Sequence, residues 1–189
     1  MLTRAVDDDA LLARQAELQG EAAAFVGGLG LVELLGRAGR VVPLGSAVTG
    51  LMVWRDVDFG VDVPGLTSDA AWETLRPLLG RCSSLHYLDD RDDRRHYFVM
   101  RIDGWKIDLS LWSAGMPPEV ESFQAGLTAR LTDELRIAIL RLKDAWCSLP
   151  AYPEIVSAWQ IYDAALNQDV RTLDELDAYL AVRGFPTRD

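Results

Sequence analysis

A chain of 189 residues is long enough to bury an ordinary hydrophobic core and short enough to make two large independent domains an unfavourable reading. Its 19 basic and 29 acidic residues give a formal charge of −10, which repels phosphate backbones and argues against a nucleic-acid partner, although a local metal site can reverse the potential where a nucleotide's phosphates sit. Cys82 and Cys147 stand alone in sequence, so neither a zinc cluster nor a disulfide framework is expected, and both are expected to be reduced and buried.

The first forty residues read as helix: Asp7, Asp8 and Asp9 favour a helix N-terminus, and Leu11, Leu12, Ala16, Leu18, Ala22, Ala23 and Phe25 follow at helical spacing. The stretch before the aspartates lacks the apolar core of a leader peptide, and no apolar run reaches membrane-spanning length; a cytoplasmic protein without a membrane partner is the expectation. Gly27, Gly28 and Gly30 interrupt the helix, and a second short one, residues 31–38, is expected to stop at Gly39.

From residue 40 the pattern changes to short apolar segments separated by turn residues. Residues 41–44 predict a strand, 46–54 a helix, 57–63 a strand, 68–79 a helix opened by Ser68 and Asp69, and 84–88 a strand. Residues 89–95, all Asp or Arg, predict a solvated loop. Asp103-Gly104 joins two apolar-rich runs, 96–102 and 105–112, as a hairpin. Residues 119–146, 153–167 and 172–182 predict three C-terminal helices, separated by Pro150 and Pro153 and by residues 167–171. The predicted organisation is N-terminal helices at 1–39, an α/β (α+β) core with a mixed sheet at 40–115, and a helical region at 116–189 packed on it.

Three places carry chemistry. Gly45-Ser46 follows a strand and opens a helix, so the backbone can approach an anion closely and offer it unpaired N–H groups; Ser46 is equally placed as a plain N-cap. Asp56 and Asp58, two apart on a strand, project from one face while Val57 and Phe59 point to the core. Asp108 alternates with Ile107 and Leu109 on a later strand, with Lys106 near enough for a simple ion pair. Adjacent carboxylates repel each other unless cations neutralise them, and hard oxygen donors suit Mg²⁺, or Mn²⁺ in its place.

Gly45-Ser46, nine intervening residues, then Asp56-x-Asp58 and a later strand aspartate, Asp108, resembles the signature of the DNA polymerase β-like nucleotidyltransferase superfamily; Gly50, four after Ser46, matches a further position. The resemblance spans roughly residues 41–112. It implies an enzyme in which Gly45 and Ser46 bind a nucleoside triphosphate. Asp56 and Asp58 would ligate two Mg²⁺ ions, and Asp108 would ligate the catalytic one and help activate an acceptor hydroxyl. Lys143, in the helical region, is a candidate phosphate contact by the same likeness. The implied reaction moves a nucleoside monophosphate to a hydroxyl of a small molecule or protein and releases pyrophosphate. Two other readings stay open: a non-catalytic nucleotide-binding module, and transfer to RNA ends. Arg55 departs from the pattern, since small antibiotic- and protein-modifying members frequently carry serine just before the first aspartate.

Overall fold

The structure is a computed structural model that describes residues 7–188, so the reading of the N-terminal stretch as lacking a leader lies partly outside the described residues. Helix α1 (Asp8–Leu29) and the short α2 (Leu31–Gly36) lead into five strands and two further helices: β1 (Arg40–Leu44), α3 (Ser46–Thr49), β2 (Asp56–Asp62), α4 (Ser68–Leu79), β3 (Cys82–Asp90), β4 (Arg95–Ile102) and β5 (Trp105–Trp112). Four helices follow, α5 (Pro118–Arg130), α6 (Asp133–Trp146), α7 (Ala158–Asn167) and α8 (Leu173–Val182). The strands form one mixed sheet in the order β1-β2-β5-β4-β3, in which only β2 and β5 run parallel.

The side-chain period of two decides which way this sheet faces. Val57, Phe59 and Val61 of β2, Ile107, Leu109 and Leu111 of β5, and Phe98, Met100 and Ile102 of β4 are all buried. Each is worth roughly 1.5–3 kcal/mol on burial, against less than about 1 kcal/mol for an exposed ion pair, so the apolar set dictates the orientation and the intervening residues take the opposite face. On the apolar side α4 brings Trp72 edge-on to Phe98 at 5.2 Å and against Tyr87 at 5.0 Å. The β4–β5 hairpin turns at Asp103-Gly104, both with positive φ (50° and 80°), as this dipeptide favours.

Two compact units divide the chain. One, Gln19–Thr49 with Arg55–Ala125, contains the whole sheet. The other, residues 7–18, Gly50–Trp54 and 126–188, has its own core, in which Leu142, Trp146, Val156, Ile161, Ala164 and Leu176 of the last three helices and their connections are buried together.

Several sequence expectations need correction. The helix expected over 46–54 is four residues long, because Gly50 adopts φ +70° and ends it. The single helix expected over 119–146 is two: Thr132 leaves helical geometry and accepts a hydrogen bond from the Leu135 N–H, capping α6, so four helices rather than three follow the sheet. Thr67, not Ser68, caps α4. The loop expected over 89–95 shrinks to its centre, since β3 and β4 extend to Asp90 and Arg95, which pair with each other across the sheet and through an ion pair at 3.0 Å. Both cysteines are free, and both are half-buried rather than buried.

Candidate metal and nucleotide site

The parallel register of β2 and β5 places Asp56 opposite Lys106 and Asp58 opposite Asp108. With all four side chains on the polar face, a two-by-two patch results from nothing more than strand period and register. One oxygen from each of Asp56, Asp58 and Asp108 lies within 4.8 Å of the others. The residues that the sequence singled out as metal ligands are therefore brought together. Asp56 is buried, while Asp58 and Asp108 are half-buried.

Whether this set fits a divalent cation can be judged from the donors. They are hard carboxylate oxygens from two strands, and Asp108 Oδ1 is buried without a hydrogen bond of ordinary length, with the Tyr97 hydroxyl directed at this carboxylate besides Lys106, an arrangement that a cation would complete. The set fits Mg²⁺ or Mn²⁺. Lys106 contributes a positive charge to the patch: its Nζ donates to Asp108 Oδ2 at 2.8 Å and lies 3.9 Å from Asp56 Oδ1. Burial disfavours the charged form of Lys106, but the carboxylates of Asp56, Asp108 and Asp58 outweigh it, and its ammonium is held above the ordinary lysine range. Tyr97, on the same face of β4, is raised well above an ordinary tyrosine, first by burial and then by the charge of Asp108. Beside it Arg95 reaches Ser110 Oγ at 3.3 Å and lies over the Tyr97 ring.

Gly45 is required by the site itself. Its φ is +73°, and a Cβ built there would lie 1.9 Å from Asp58 Oδ2, so only glycine lets the Asp58 carboxylate rest against the β1–α3 turn. Ser46 is buried at the start of α3. A four-residue helix supplies little macrodipole, so an anion here would rely on the turn's N–H groups and the Ser46 hydroxyl. The Gly45 N–H is already engaged by Gln124 of α5, whose Oε1 accepts it at 2.8 Å while Nε2 donates to the Pro43 carbonyl at 3.1 Å. Nothing local in the sequence points to Gln124, which lies 79 residues from Gly45. Lys106, by contrast, was legible as the residue two before Asp108 on the same strand face.

Lys143 is in the helical unit. It is not the exposed lysine that an amphipathic helix would carry: it is 1% exposed, and its ammonium donates to the Leu51 carbonyl at 2.6 Å and the Tyr162 hydroxyl at 3.1 Å. Gly50, in the same unit, gives its carbonyl to the Arg136 guanidinium at 2.7 Å. Of the two histidines, His96 is buried and shares a hydrogen bond with the Tyr87 hydroxyl through Nδ1 at 3.0 Å.

A scan against protein-family models and a search of curated proteins gave no match. Solved structures do match. A Cid1 poly(U) polymerase structure with Mg 3′-dATP bound is similar over 76% of this chain and 47% of its own, at 18% identity and a TM-score of 0.55. A cytoplasmic RNA terminal U-transferase is similar over 84% of this chain and 54% of its own, at 13% identity and a TM-score of 0.52. A second Cid1 structure, with MgGTP bound, matches over 66% of this chain at 17% identity and a TM-score of 0.50. The chain thus spans about half the length of these proteins, and the likeness shows a shared fold over that part.

Proposed function

We propose that the chain is a metal-dependent nucleotidyltransferase that moves a nucleoside monophosphate from a nucleoside triphosphate to a hydroxyl of a small molecule or protein. The convergence of Asp56, Asp58 and Asp108 within 4.8 Å on the polar face of the sheet carries this reading. A mere binding scaffold gains nothing from clustering three carboxylates, whose mutual repulsion the single Lys106 ammonium offsets only in part.

In this reading the three aspartates hold two Mg²⁺ ions, which when bound neutralise phosphate charge and favour ionisation of the attacking hydroxyl. The side chains of this chain bind, orient and screen. Asp58, braced by the Gly45 turn, and Asp56, fixed in β2, hold one wall of the site, and Asp108 holds the other. Gly45 and Ser46 contact the triphosphate; for the Gly45 N–H to do so, the Gln124 carboxamide must give it up. The acceptor oxygen forms a bond to the α-phosphorus, the bond to the bridging oxygen of the β-phosphate breaks, and pyrophosphate departs. The acceptor's proton leaves to Asp108 or to water. Most of the rate enhancement asked of such a site is positioning and charge neutralisation.

Transfer to an RNA 3′ end is the second reading, because RNA terminal transferases share the fold. The formal charge of −10 stands against it, since non-specific RNA affinity depends on basic side chains. One experiment separates the readings: incubation with α-phosphate-labelled triphosphates and Mg²⁺, against panels of hydroxylated small molecules, proteins and RNA oligonucleotides. Label is expected in a small-molecule or protein product, with Asp58→Ala reducing it by at least about a hundredfold. Label in RNA alone selects the second reading. Equal labelling by wild type and Asp58→Ala overturns the assignment of the site.

A further inference from the structure

We propose that Lys106 is a resident cation of the carboxylate triad, occupying one of two positive positions so that the nucleotide-free site takes up one divalent ion rather than two. The inference rests on the reading of the triad as a metal site and adds to it how many of the two ions bind before a nucleotide arrives, and the residue that sets that number.

The geometry is specific. Lys106 is directly beside Asp56 in the β2–β5 register, as Asp108 is beside Asp58, so its ammonium is delivered into the patch by the same strand that carries Asp108. It bridges carboxylates on two strands, at 2.8 Å from Asp108 and 3.9 Å from Asp56. These are its two nearest neighbours in the patch, one across the register and one along its own strand; Asp58 stands diagonal to Lys106, against the Gly45 turn. Lys106 is itself buried, so it cannot swing into water as a surface lysine would. Charge supports the same conclusion. Three ionised carboxylates against one ammonium leave a formal −2, which a single divalent ion neutralises. A second divalent ion bound before any triphosphate arrives would face both the first ion and the ammonium at short range. The lysine also answers how the triad stays assembled without metal, since three like charges so close would otherwise drive their strands apart.

An ordinary structural ion pair would show the same distances, and metal stoichiometry tells the two apart. Mn²⁺ binding to the nucleotide-free protein is counted by electron paramagnetic resonance of the free ion, for wild type, Lys106→Met and Asp58→Asn. Wild type is expected to bind one ion, Lys106→Met two, with the first held at least tenfold more tightly. Should Lys106→Met not fold without metal, Mn²⁺ in the refolding buffer is expected to rescue it by supplying the missing positive charge, and absence of rescue overturns the proposal. Two ions on wild type, or unchanged number and affinity in Lys106→Met, also overturn it. Binding of no Mn²⁺ by wild type, or equal binding by Asp58→Asn, instead strikes the metal-site reading beneath it.

Discussion

Single atoms decide two features of the molecule. At Gly45 an added methyl group would overlap the Asp58 carboxylate and would also have to adopt a left-handed backbone. Gly45→Ala is therefore expected to destabilise by about 1–2 kcal/mol from the backbone alone and to weaken Mn²⁺ binding, because Asp58 must move. Urea unfolding and a metal titration check both effects; a variant as stable as wild type with unchanged metal affinity would show that the turn does not support Asp58. In the helical unit, the Tyr179 hydroxyl donates to Asp163 Oδ2, which holds Asp163 below the usual carboxylate range and, with burial leading, pushes the phenol up to about 12. A phenol raised in the folded state stabilises it below the unfolded value near 10, and that contribution is lost as pH climbs toward 12. Asp163, lowered on folding, adds a contribution that is lost as pH falls through the carboxylate range. Tyr179→Phe is expected to cost about 1 kcal/mol at pH 7 and progressively less between pH 10 and 12. Parallel denaturation curves for the two proteins across that range test the sign.

Elements were legible in the sequence to the extent that periodicity or turn chemistry marked them. The β4–β5 hairpin and α4 were marked by an Asp-Gly turn and by a helical pattern between clear breakers, and both occupy the expected places. Where a local signal was weak the reading failed. No glycine or proline separates α5 from α6, and the break rests on one threonine turning its side chain back to cap the next helix. Thr132→Ala is accordingly expected to lower stability by about 1 kcal/mol, with Thr132→Ser close to neutral, as read by thermal melting. If Thr132→Ala melts with wild type, the cap does not hold the start of α6. The triad was legible because strand period fixes which face a carboxylate takes. Its pairing was not: that Asp58 lies opposite Asp108 depends on a parallel register that joins segments fifty residues apart. Gln124 was illegible for the same reason, since its hydrogen bond to Gly45 spans 79 residues.

Over the whole molecule, acidity and site chemistry pull in opposite directions. A chain of formal charge −10 repels a triphosphate at long range, and only a local positive charge can make binding favourable. Under the proposed function the local charge would come from Lys106 and from divalent ions held at the triad, and nucleotide affinity is then expected to depend steeply on Mg²⁺ and little on the remaining basic surface. The described residues include no helix long and apolar enough to cross a membrane.

Equilibrium binding of a non-hydrolysable nucleoside triphosphate, measured by calorimetry with Mg²⁺ and with chelator for wild type and Asp58→Asn, bears on this most directly. Binding is expected for wild type with Mg²⁺ and at least tenfold weaker in the other three combinations. Affinity that is the same with chelator, or the same in Asp58→Asn, would contradict a site built on three carboxylates and the cations between them.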